Sequence, residues 1–159
     1  MAQARSYSVD VTLLLLRLAL GPILSLHGAQ KLGLLDAAPS WATTQASIHA
    51  FAATTLAPLG LEPAMALAWA TALTESFAGL FVLLGLATRL AAVASGCIML
   101  VAIAKVHSAH FFVRDQGFEY PLLILAVCLG LLAGGAGRIS LDNLVTAGRG
   151  AGAPDKGSS

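Results

Sequence analysis

Four stretches of this chain are each apolar for about the twenty helical residues needed to cross a hydrocarbon core. They cover roughly residues 11–35, 63–86, 90–110 and 118–136. A backbone that enters lipid must satisfy its own N–H and C=O groups, and runs of this length do so as α-helices. A water-soluble helical bundle is the competing arrangement, but each of its helices would carry a charged stripe opposite the apolar one. Residues 63–86 offer only Glu75 and a few Thr and Ser. The fold class expected is therefore all-α, an integral membrane four-helix bundle.

Composition agrees. Of 159 residues, 57% are hydrophobic and 11% charged, with a mean hydropathy of +0.82. A soluble domain carries about 25% charged residues. A formal net charge of +1 without any Lys/Arg cluster gives no reason to expect nucleic acid as a partner. The first partner implied is the lipid bilayer. Arg5 ahead of VTLLLLRLALGPILSL resembles a signal peptide, but Arg17 interrupts the apolar core and no A-x-A site follows at cleavage distance, so this segment is taken as a retained span.

The organisation expected is an N-terminal segment 1–10, a membrane domain 11–144 and a disordered tail 145–159 rich in Gly, Ala and Ser. Between the first two spans, Trp41, Ile48, Phe51, Ala52, Thr55 and Leu59 recur at helical spacing. A short interfacial helix and an irregular loop are both compatible with that pattern. An even number of spans places both termini on one side, with Arg5, Arg89, Arg138, Arg149 and Lys156. The opposite side holds Arg114, with Lys31 and Lys105 near the span ends. The positive-inside rule then puts both termini in the cytoplasm.

Ionisable residues inside spans are functional candidates because lipid makes them expensive. Arg17 and Lys31, fourteen positions apart, fall about 40° from each other on a helix at 100° per residue. Gly21 and Gly28 share that stripe, so Arg17, Gly21, Leu24, Gly28 and Lys31 are expected to face the interior. Glu75 is the deepest acid, with Arg17 as its expected partner and Lys105 as a second. Glu119 is expected to answer Lys31 or a protonated histidine. The ends of spans one, three and four bring His27, Lys31, Lys105, His107, His110, Glu119 and Tyr120 to one level. One surplus positive charge there would suit a small anion or a polar headgroup such as that of a quinone. The candidate catalytic residues are Glu75, Glu119 and Tyr120, and the candidate substrate-binding residues are Arg17, His27, Lys31, Lys105, His107 and His110.

Cys97 and Cys128 form no C-x-x-C pair and sit in apolar runs, where cysteine acts as a small hydrophobe. No metal-ligand spacing occurs, the histidine spacing specifies no haem, and no G-x-S-x-G is present.

The segments LLLRLALGPILSLHGAQKL, ESFAGLFVLLGLATRLAA and GFEYPLLILAV, the last followed by GAGRISLD, resemble the DoxX family of small membrane proteins. The resemblance implies a four-span bundle in a bacterial cytoplasmic membrane. It places Arg17, His27, Gly28, Lys31, Glu75, Gly79, Arg89, Glu119 and Tyr120 at motif positions. It further implies thiosulfate:quinone oxidoreduction, or membrane support for enzymes of oxidative and thiol-stress defence. Three functions follow: a redox subunit handling quinone or small sulfur compounds, a scaffold for redox-defence enzymes, or a small solute transporter. As a transporter, four spans would call for a homo-oligomer.

Overall fold

The computed structural model describes residues 2–151, with side chains described for residues 7–146. Among these the chain is helical throughout, without a strand. The helices are α1 (Ala2–Lys31), α2 (Trp41–Phe51), α3 (Ala64–Leu84), α4 (Thr88–Val101), α5 (Glu119–Gly134) and α6 (Leu141–Ala151). Within α1, residues Tyr7–Lys31 are long and apolar enough to cross a membrane, as are α3 and Thr88–Val106. At 16 residues α5 is shorter, about 24 Å against a core of about 30 Å.

The side chains turned outward from these helices are apolar. Leu15, Leu18, Phe77, Leu80, Leu90, Leu100, Leu123 and Leu129 are all exposed. In water such a surface would far exceed the apolar patch of a soluble monomer. It is the surface of a chain dissolved in lipid.

Local sequence fixes where the helices stop. The apolar run past Lys31 suggests a first span reaching residue 35, but Gly33 adopts φ +65. The Leu34 amide donates to the Ala29 carbonyl and the Gly33 amide to Gln30. This glycine-capped ending closes α1 at Lys31. Ser40 opens α2 with a reciprocal cap, Thr43 N–H to Ser40 Oγ and Ser40 N–H to Thr43 Oγ1. The segment between the first two spans is thus a helix, continued by a π-helical turn Ala52–Leu56. Thr44, Ile48, Ala52 and Leu56 form its buried stripe, packed with Ala68 and Ala72 of α3. The third expected span ends as a π-helical turn, Ala102–Val106. The expected tail from 145 overlaps α6, which runs to Ala151; residues 152–159 lie outside the described ones.

Helix α1 packs most extensively on α3, α3 meets α4, α4 meets α5, and α5 returns to α1. The α1–α3 contact is held close by glycine. A Cβ added at Gly21 would lie 2.7 Å from Leu83 Cβ, one at Gly28 would collide with Ser76, and one at Gly79 with Ser25. The two helices therefore run antiparallel at backbone-to-backbone distance, and the expected interior stripe holds. Arg17, Gly21, Leu24 and Gly28 are buried, and Lys31 is half-buried.

This contact makes a clear contrast testable. Gly79→Leu should overpack the α1–α3 contact and destabilise the protein by roughly 1–3 kcal/mol or more. Gly130, whose added Cβ would meet nothing within 4 Å, should tolerate Ala with a gain of about 0.5–1 kcal/mol. Thermal unfolding of the detergent-solubilised variants reads both.

Candidate functional site

The α1–α3 register sets two polar centres at opposite ends of the helix pair, with partners other than the two pairings expected from sequence. With Gly21 against Leu83 and Gly28 against Ser76, Arg17 reaches the end of α3 and Lys31 reaches Glu75. The expected Arg17–Glu75 pair is not formed. Angular position was right, but the rung of α3 that each cation meets depends on glycines in both helices.

Arg17 instead binds backbone. Its Nε donates to the Val82 carbonyl at 2.9 Å and a terminal nitrogen to Leu83 at 3.0 Å. The other terminal nitrogen donates to Ala136 and Ile139 at 2.8 and 2.7 Å. These carbonyls belong to the last turn of α3 and the segment after α5, where helix ends leave acceptors unpaired. A cation there also meets the negative ends of the helix dipoles. Asp142 is the acid in electrostatic range. Its carboxylate accepts from the Ala87 and Thr88 amides at 2.7 and 3.0 Å, capping α4 from a distant part of the chain. The GAGRISLD segment thus locks this end: two carbonyls for Arg17, Ser140 as the cap of α6, and Asp142 as the cap of α4. Arg89 is exposed and donates to the Ala133 carbonyl at 3.3 Å. Sequence reasoning missed Asp142, because its role exists only once α6 folds back on the α3–α4 turn.

The other end holds a cavity of about 440 Å³. Lys31, the last residue of α1, forms an ion pair with Glu75 of α3, their side chains 22% and 5% exposed. Its ammonium lies 5.6 Å from the centre of the Phe51 ring, in cation–π range. From α5, the Tyr120 hydroxyl stands 3.4 Å from His27 Nε2. That contact is longer than a well-formed hydrogen bond and leaves both groups able to bond a third partner. His107 places Nδ1 2.6 Å from the Gln116 carbonyl oxygen, so Nδ1 carries the hydrogen and Nε2 is the acceptor of the neutral ring. Lys31, Glu75, His27, His107 and Tyr120 all line the cavity, and the remaining walls are mostly apolar.

Four expected site residues lie outside it. Arg17 is at the opposite end. Lys105 is exposed, carried outward by the π-helical turn, whose wider i→i+5 bonding shifts helical phase. His110 is exposed beyond the helix. Glu119 is half-buried without lining the cavity, since its neighbour Tyr120 faces in and adjacent helical residues diverge by about 100°. The expected surplus of positive charge disappears with them. Glu119 does not answer Lys31, which is already neutralised by Glu75. Cys128 is buried in the core, as its apolar setting suggests, whereas Cys97 is exposed and lines the cavity. Among the described residues no three His, Cys, Asp or Glu side chains gather as a metal-binding group.

Apolar helices of spanning length, an apolar outer surface and a part-polar cavity between the helices define a multi-pass membrane protein in contact with the bilayer. The chain belongs to the DoxX family, whose family model matches residues 12–108. No curated protein and no solved structure gave a match.

Two substitutions separate the centres. Arg17→Leu removes a donor from four carbonyls, of which that of Val82 keeps the Gly85 amide, and should destabilise by about 3 kcal/mol or more. Glu75→Gln leaves the Lys31 ammonium without its counter-charge and should cost about 3–5 kcal/mol, with Lys31→Met/Glu75→Met less damaging than the single change. Unfolding temperatures of the purified variants check both.

Proposed function

We propose that the protein is a membrane redox subunit whose cavity at the Lys31 end binds a quinone ring. The observation that carries this reading is that Lys31 and Glu75, which line the cavity, pair with each other. Lys31 is matched by Glu75, and Arg17 and Lys105 lie elsewhere, so among the described residues no unpaired Lys or Arg lines the cavity to hold a small oxyanion. What remains is a largely apolar pocket with a few convergent hydrogen-bonding groups, the usual form of a site for an uncharged ring. Tyr120 and His27 are placed to bond a quinone oxygen, and the Lys31–Glu75 pair fixes the polar wall. Reduction of a quinone to its quinol takes two electrons and two protons. Tyr120 and His27 would pass protons, and the electrons would come from a small sulfur compound, two thiosulfate ions joining through an S–S bond, on a partner protein.

In this reading α5 is a shortened fourth pass, α2 lies at the interface, and both termini face the cytoplasm of a bacterial inner membrane. The α3–α4 turn with Arg89 and the segment with Arg138 share the Arg17 end, which supports that orientation through the positive-inside rule. A periplasmic-active reporter fused after Ala151 should stay inactive; activity would reverse the orientation.

The binding reading is checked by calorimetric titration of a benzoquinone into the protein in lipid nanodiscs. Tyr120→Phe and His27→Ala should each weaken binding by about tenfold, the value of one hydrogen bond. Arg114→Ala, at an exposed turn on the same end, should leave it unchanged. Absence of saturable binding to the unaltered protein would overturn the proposal.

A further inference from the structure

The hairpin of α3 and α4 is buried near its turn and lines the cavity with half-buried and exposed side chains further on. Near its turn the residues Ala78, Val82, Ala91, Ala92 and Ser95 are buried. One to two turns further on, Thr71, Thr74, Ile98 and Ala102 line the cavity and are only half-buried. Beside them Ala70, Cys97 and Val101 line the cavity and are exposed. Both helices are of spanning length and composition, so what reaches these residues from outside is hydrocarbon rather than water. Apart from Ile98 and Val101 these side chains are small, and no ion pair or hydrogen bond crosses between them among the described residues.

We infer that the cavity opens sideways into the bilayer between α3 and α4, and that its ligand is a ring carrying a long hydrocarbon tail. This rests on the quinone reading and names its substrate class: a lipid-dissolved quinone whose ring turns in toward Tyr120 and His27. The tail remains in the lipid. A cavity of about 440 Å³ holds a ring but not a long prenyl chain as well. Moving such a chain from lipid onto apolar helix surface gains little, because lipid is as apolar as the groove. The opening therefore acts by permission: it lets the ring enter without extracting the tail.

The test compares two probes, a benzoquinone without a tail and the same ring with a decyl chain, each at equal concentration in nanodisc lipid. The unaltered protein should bind both with similar affinity. Ala70→Trp and Val101→Trp, one on each side of the gap and both at exposed positions, should discriminate against the decyl probe by about tenfold or more, equivalent to about 1.4 kcal/mol. Leu129→Trp, an exposed position on α5, should keep the ratio near one. Rejection of the decyl probe by the unaltered protein, or equal effects of the Trp variants on both probes, would overturn the lateral opening and leave the ring site standing. Failure of both probes to bind would overturn the ring site and this inference with it.

Discussion

The close approach of α1 and α3 sets everything else in this protein. Three glycines, Gly21, Gly28 and Gly79, let the two backbones touch where any side chain would collide. In lipid there is no hydrophobic gain from bringing two apolar helices together, so association depends on such close packing and on polar contacts. A contact this tight also has only one comfortable register. That register carries Lys31 to Glu75 and Arg17 to the end of α3, and so divides the buried charge between two centres with different work.

At the Arg17 end the charge serves the backbone. Helix ends inside a low-dielectric medium leave carbonyls that water cannot reach, and one guanidinium collects four of them from two segments distant in sequence. Asp142 performs the opposite service for the amides that begin α4. At the Lys31 end the charges cancel each other, and His27, His107 and Tyr120 are among the cavity's other hydrogen-bonding groups. The same kind of residue thus fastens the fold at one end and tunes the polarity of a cavity at the other.

Helix identity and angular position were legible in the sequence, because both depend on a period that each helix carries within itself. The stripe from Arg17 to Lys31 follows from 100° per residue alone. Axial register was not legible, since it arises where glycines of two helices meet, and so Arg17 was matched to the wrong partner. Local exceptions to the period also hid. Gly33 ended α1 four residues before its apolar run did, and the π-helical turn after Val101 carried Lys105 out of the cavity. His27, Lys31, His107 and Tyr120, read as lying at one level, do line one cavity, and Glu75, read as deeper and matched to Arg17, joins them there. That Glu119 would part company with Tyr120 was implicit in the helical angle.

The brevity of α5 bears on the membrane as well as on the protein. Its outward leucines, Leu122, Leu123, Leu129 and Leu132, span about 6 Å less hydrocarbon than the helices beside it need. As the fourth pass proposed above, α5 would make the bilayer thin locally at that face, at a cost of fractions of a kcal/mol for each ångström of mismatch. In the proposed four-pass arrangement the lipid would be dimpled on one flank only. Two such dimples would cost less merged than apart, so neighbouring copies would attract one another without any complementary surface.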